Sequence, residues 1–318
     1  MNPRETIGVD LGGTKMAVGV IDSEQQIHYE GKESSIGLSE DKLVDDLGRE
    51  LEEARDARPD VLCAGLGIPA TIDHDRGVAI QAVNLEISDV PLRDLMRKRL
   101  GLPVYLDNDA NVAALAEFLY GAGRGARNVV MLTIGTGIGG GLILDGETYR
   151  GSTGAGAELG HIVIVEDGLP CQGNCPNHGC VETYASGTAI AREGKVAAER
   201  EPDSALGKAL AEGPIVGKTV TELAMKGDAV AAEVVGQAGR HLGTALASLA
   251  NIFDPDVFVI GGGVSAVGDL LLGPAREELR ARALPPQNKA PVKLAELGPA
   301  AGMVGAAAMA LIELDKGA

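Results

Sequence analysis

The chain has 318 residues, 45% of them hydrophobic, with 45 glycines and no tryptophan; this reads as a turn-rich α/β protein, longer than one core usually grows, so two lobes are expected. No apolar run reaches the ~18 residues of a membrane span, and the longest, VVMLTIGTGIGGGLIL, is broken by glycines. A net charge of −17, from 28 Lys and Arg against 45 Asp and Glu, argues against nucleic acid. With 11 lysines and 3% aromatics, it fits a protein kept hydrated in a salt-rich cytoplasm.

Taken in chain order, residues 6–22 (TIGVDLGGTKMAVGVID) read as strand, tight glycine turn and strand. Residues 39–57 place Leu43, Leu47 and Leu51 at four-residue spacing between acids, which predicts an amphipathic helix. VLCAGLGI is a buried strand ending at Pro69, with Cys63 a core residue. A helix over 91–101 ends in Gly101, VYLDND is a short strand, and a helix begins near Asn111 and stops at the following glycines. NVVMLTIGTGIGGGLILDG then repeats strand, glycine turn and strand. Residues 182–252 are mainly helical, DVFVIGGGVS runs from a strand into a glycine turn, and AAGMVGAAAMALIEL closes the chain as a helix. Two such hairpins imply a duplicated fold with a cleft between its halves.

The first chemistry lies in the glycine turns. In DLGGTK, Gly12 and Gly13 leave backbone amides uncovered, Thr14 adds a hydroxyl and Lys15 a charge, which suits a phosphate cradle. Thr136, Gly137 and Gly139 offer the same from the second half. Neither is a P-loop, because each turns between strands. A lone glycine pair usually serves hairpin geometry; the pairing of two, with Asp10 ending the first strand as a magnesium or water-shell ligand, is the stronger signal. Gly262 and Gly263 form a third turn that can lie against a purine or ribose or simply join strand to helix.

The second chemistry is LDNDAN, where Asp107, Asn108, Asp109 and Asn111 stand at a strand-to-helix junction. Asp109 can take a proton from an attacking hydroxyl, and the competing role of these residues is helix capping. The third is the segment from Gly156 to Gly187. One histidine and Cys171, Cys175 and Cys180 have the ligand types and reach of a tetrahedral zinc site. Spacing leaves His161 and His178 both open as the nitrogen ligand. No stretch at the N-terminus reads as a signal peptide, so disulfides are not expected. Glu158 and Glu182 bracket the cluster.

DLGGTK, GIP at 67–69, Asn84–Leu85, LDNDANVAALAE, TIGTGIGGG, GAGAELGH, the cysteine loop and ETYASG occur in the order found in the ROK family (repressors, open reading frames, kinases), and over essentially the whole chain. The sequence resembles ROK glucokinases most. The resemblance implies a two-lobed actin-like ATPase (ribonuclease H-like) fold, with residues 1–110 plus 302–318 as a small lobe and 111–301 as a large lobe carrying the zinc loop and nucleotide site. It implies ATP-dependent phosphorylation of the glucose 6-hydroxyl with Mg2+ and a structural Zn2+, Asp109 as the base, and Asn84, Asn108, Glu158, His161 and Glu182 as hexose contacts. It selects His161 over His178, one ring nitrogen on zinc and the other on sugar. N-acetylmannosamine, fructose, mannose or allose are alternative substrates, ADP or polyphosphate alternative donors, and a homodimer or homotetramer is expected. ROK repressors carry a DNA-binding segment ahead of the first turn, which here starts at Asp10, so the kinase class is favoured. Two departures stand out. The family pattern CxCGxxGCxE is widened to three residues between Cys171 and Cys175, with Pro176 in place of glycine, and Ala70 replaces the glycine after Pro69.

Overall fold

The computed structural model describes residues 3–13, 15–82 and 85–317. The first half runs β1 (Glu5–Leu11), β2 (Lys15–Asp22), β3 (Ile27–Ser34), α1 (Glu40–Ala57), β4 (Ala64–Ile68), β5 (Ala70–Asp73), β6 (Val78–Ala82), β7 (Ser88–Val90), α2 (Leu92–Leu100), β8 (Val104–Asn108) and α3 (Asp109–Tyr120). The second half restarts with β9 (Val129–Ile134), β10 (Ile138–Leu144) and β11 (Glu147–Thr148). Helices α4 (Glu182–Ala185), α5 (Gly187–Arg200), α6 (Ala205–Glu212), α7 (Gly217–Met225) and α8 (Ala229–Phe253) follow, then β12 (Val257–Gly261), α9 (Asp269–Arg282), β13 (Val292–Leu294) and α10 (Ala301–Lys316).

The duplication expected from the two hairpins is present. One sheet has the order β3-β2-β1-β4-β8 and the other β11-β10-β9-β12-β13. In each, an antiparallel hairpin continues into parallel strands: β1 with β4 and β8, β9 with β12 and β13. A three-stranded antiparallel sheet, β5-β6-β7, is added to the first half.

Side-chain alternation explains how the layers assemble. On β1, Ile7, Val9 and Leu11 share a core with Leu43, Leu47 and Leu51 of α1, so the leucine spacing read from the sequence is the buried stripe of that helix. The opposite face meets α10. A Cβ on Gly65 of β4 would lie 1.9 Å from the Ala306 carbonyl oxygen, and one on Gly305 of α10 would lie 1.8 Å from that of Val112 in α3. The small residues of α10 therefore permit backbone contact on two sides. Helices α10 and α3 form a layer between the sheets, α10 against the first and α3 against the second. Beyond the second sheet, Val130, Leu132 and Ile134 of β9 pack with α8 and α9 through Leu242, Leu246 and Leu272.

Because β1, β4 and β8 run parallel, Asp10, Gly67 and Asp107 stand in one row near their C-terminal ends. β9 and β12 likewise bring their glycine turns to one end of the second sheet. Ligand sites of open α/β sheets form at such ends. Helix α3 begins at Asp109, two residues earlier than the sequence suggests, because the asparagine before it caps the helix. No described helix is long and apolar enough to cross a membrane.

Candidate active site

The strand-to-helix junction places the central acid. Asn108 is extended, and its side-chain oxygen accepts from the backbone N–H of Ala110 (2.9 Å) and Asn111 (3.3 Å), so it is the N-cap of α3. Such a cap contributes about 1 kcal/mol and leaves the Asn108 amide nitrogen free to donate. Asp109 opens the helix and is half-buried. Burial first, and then the nearby Asp10 carboxylate, push its pKa up to about 6, with Glu158 adding in the same direction. A carboxyl poised there suits proton abstraction near neutral pH.

Asp10 lies against the start of α10, where a Cβ on Gly302 would come 2.5 Å from its carboxyl carbon. Burial raises its pKa, partly offset by Lys15. Among the described residues no donor hydrogen-bonds its oxygens, which leaves a hard oxygen ligand of the kind magnesium takes. Beside it, the Gly12 N–H donates to the Lys15 carbonyl (2.8 Å), and the Ser35 hydroxyl donates to the Gly12 carbonyl (2.6 Å). Gly13 lies in the same bend, while Thr14 and Asn84 fall outside the described residues.

The second turn, between β9 and β10, is held from outside. The Gly187 N–H donates to the Gly135 carbonyl (2.7 Å), the Thr188 hydroxyl to the Thr136 carbonyl (2.8 Å), and the Ile138 N–H to Glu182 Oε2 (2.7 Å). A Cβ on Gly137 would lie 2.3 Å from that carboxylate oxygen. Gly139 sits within β10 rather than in the turn, and a Cβ there would meet Thr133 and Ala110. At the end of β12, Gly262 has φ 84° and its Cβ position is filled by the Ile134 backbone, whereas a Cβ on Gly263 would meet no atom within 4 Å. That open surface fits a flat ring. In the two hairpin turns the Gly12 and Gly135 N–H groups are taken by the Lys15 and Gly137 carbonyls, so the expectation that Gly12 presents an uncovered amide is corrected: its N–H closes the turn.

Glu158 precedes a 3-10 turn, Leu159–His161, and its exposed carboxylate lies 4.0 Å from His161 Nε2. The other ring nitrogen, Nδ1, faces Cys171 Sγ at 3.5 Å. The imidazole thus turns Nε2 towards an acid and Nδ1 towards a sulfur cluster. The ligand atoms of His161, Cys171, Cys175 and Cys180 all lie within 4.8 Å of one another, and Cys175 Sγ is 4.0 Å from Cys180 Sγ. The 3.5 and 4.0 Å separations approach the edges of roughly 3.3–3.8 Å that bonds of about 2.0–2.3 Å give a tetrahedron, while the widest needs the ligands to draw in. Burial, then the adjacent Cys171 sulfur, pushes the Cys180 thiol up to about 12, so a cation is what would hold Cys180 as a thiolate. His178 is turned away, Nδ1 lying 3.2 Å from the Gly168 carbonyl. The widened gap does not expel Cys171, whose N–H donates to the Asn177 carbonyl (2.9 Å) and keeps the loop folded back on itself.

Glu182, nine-tenths buried at the start of α4, joins the two regions: Oε2 accepts from Ile138 and Oε1 lies 4.0 Å from Cys171 Sγ. From Asp10 through Asp109, Glu158, His161 and Cys171 to Glu182 and the second turn, neighbours are within electrostatic or contact range.

A profile of the ROK family matches residues 6–313. The chain belongs to the ROK family. This ROK protein is 40% identical over 313 residues to a glucokinase of Streptomyces coelicolor, covering 96% of this chain and 97% of that one. It superposes with a TM-score of 0.85 and 40% identity on a ROK family glucokinase from Streptomyces griseus in complex with glucose and AMPPNP, covering 97% and 99%. It is also 32% identical to a putative xylose repressor of Caldicellulosiruptor over 97% of this chain and 78% of the repressor. The fold is the two-lobed actin-like ATPase fold, as the sequence resemblance implied. Sequence reading missed the outer support of this ROK protein's second turn. Ser186, Thr188 and Gln172, whose side-chain amide donates to the Thr136 carbonyl at 3.4 Å and to the Ser186 hydroxyl at 3.3 Å, supply it. The hydroxyls continuing ETYASG into Thr188 were the available signal.

Proposed function

We propose that the protein transfers the terminal phosphoryl group of ATP to the 6-hydroxyl of glucose. Asp109 carries the reading, as a half-buried carboxyl with its pKa pushed up to about 6 and Glu158 close by. It takes the hydroxyl proton as that oxygen bonds to the phosphorus, the proton ends on Asp109, and ADP leaves. The Asn108 amide, Glu158, His161 Nε2 and Glu182 Oε1 grip the other hydroxyls, since a hexose offers only hydroxyls and carboxylates are the strongest acceptors for them. Asn84 completes that set. The turns at Gly12–Lys15 and Thr136–Gly137 hold phosphates, and Gly262–Gly263 lies along the nucleoside. Gly139 serves through its packing on α3.

Magnesium fits Asp10 and, when bound, neutralises phosphate charge. Zinc fits His161 and the three cysteines; with every position filled by protein it supplies a fixed clamp that orients the imidazole. Residues 1–110 with 302–318 would move against 111–301, α10 and α3 lying where they meet. The two Streptomyces glucokinases at 40% identity support glucose and ATP as substrates. A coupled assay over glucose, N-acetylmannosamine, fructose, mannose and allose, with ATP, ADP and polyphosphate, should give its highest kcat/KM for glucose with ATP. A higher value for another sugar or donor would reassign the substrate.

A further inference from the structure

Asp107 takes no part in the chemistry above, yet it is the most enclosed carboxylate at the site, with its side chain 2% exposed. Its Oδ1 accepts from the Asn108 N–H (2.8 Å) and the Asn111 side-chain amide (2.9 Å), while Oδ2 accepts from Arg150 Nε (2.7 Å). His74 Nε2 lies 3.9 Å from Oδ1 and has no hydrogen-bond partner among the described residues. The Arg150 guanidinium also approaches Glu313 of α10 at 3.6 Å.

Arg150 belongs to the other half of the molecule, two residues beyond β11. It opens the loop that ends in Glu158 and His161. That loop closes on Arg150, whose carbonyl accepts from the Gly156 N–H (2.9 Å), and it rests on the first half at Gly154, where a Cβ would lie 1.9 Å from the Ile72 carbonyl oxygen. One ion pair, buried on its Asp107 side and partly exposed on its Arg150 side, therefore fixes the base of the Glu158–His161 loop to the strand that delivers Asp109 two residues later.

We propose that Asp107 and Arg150 are positioning residues that set the hexose-gripping loop against the catalytic acid. This rests on reading Glu158 and His161 as hexose contacts. The pair touches neither phosphate turn nor the cysteine cluster, so its loss displaces hexose contacts and leaves the nucleotide site in place. Lysine cannot reproduce the fork that spans Asp107 and Glu313, because it presents a single point charge.

Calorimetric titration of purified Arg150→Gln and Arg150→Lys with glucose and, separately, with AMPPNP tests this, bound zinc being measured in the same samples. Arg150→Gln should weaken glucose binding about tenfold or more, as expected when a binding group is displaced by a fraction of an ångström to 1 Å. Arg150→Lys should show a smaller loss in the same direction, with AMPPNP affinity and zinc content unchanged in both. Glucose affinity unchanged in both variants, or glucose and AMPPNP affinities falling together, would overturn the assignment. If Arg150→Gln does not fold, Arg150→Lys decides alone by the same criterion. Wild-type protein that binds no hexose would sink the kinase reading and this assignment with it, whereas wild-type binding with indifferent variants would sink only this one.

Discussion

At the scale of single residues, the site holds its central acid in a form that costs stability. Asp109 titrates near 3.8 when unfolded and near 6 when folded, raised by burial and then by Asp10. Below pH 4 the acid is neutral in both states and the fold bears no penalty. As pH rises from 4 to 6 the unfolded form ionises first, so stability is lost across that window and the loss levels off above it. Allowing for partial exposure, two units correspond to about 2 kcal/mol. Asp109→Asn should therefore raise the Tm of the ligand-free protein by a few degrees at pH 8 and by progressively less towards pH 4. A pH-independent difference, or none, would contradict the cause assigned here. The strand-to-helix junction was legible in the sequence, but its residues suited capping as well as proton transfer, and only the family resemblance pointed to Asp109 as the base. The acid's capping partner was not separable from it until the geometry made Asn108 the N-cap, bonded to Ala110 and Asn111, and left Asp109 to accept from the Ala110 N–H (2.9 Å).

At the scale of elements, the cysteine loop is a support with two outputs. Through His161 it faces the Glu158 side, and through Glu182 and Gln172 it touches the turn between β9 and β10. The turn has further attachments from Gly187 and Thr188 of α5, which do not depend on the loop. Metal removal by a strong chelator should therefore weaken glucose binding by tenfold or more, a site of this type contributing on the order of 10 kcal/mol to loop order. AMPPNP affinity should fall by a smaller factor. Full activity in protein purified without metal would contradict the clamp. The three cysteines could be read from residue type and reach, whereas the choice of His161 over His178 rested on the family resemblance until the fold turned His178 towards the Gly168 carbonyl. The bond from Glu182 to Ile138 could not be read, since the two are 44 positions apart.

At the scale of the whole molecule, the repeated hairpin made the duplicated architecture legible, because strand, glycine turn and strand each leave a local mark. Elements without such a mark were missed. Strands β11 and β13 have two and three residues, too few to show alternation. The β5-β6-β7 sheet is built from similarly short strands, and α9 contains Pro274, which argues against a helix locally. The α3–α10 layer depends on which glycines face which backbone, a property of the packed pair rather than of either sequence segment. Glycine turns from both sheets stand beside that layer, with Asp109 at the start of α3, and the proposed kinase reading makes phosphoryl transfer depend on that carboxyl. The decisive measurement is the turnover of Asp109→Asn with glucose and ATP, alongside its affinity for glucose. A general base contributes roughly 10²–10⁴-fold, so phosphorylation should fall at least a hundredfold while glucose binds within a few-fold of wild type. Turnover that survives the substitution would contradict the account.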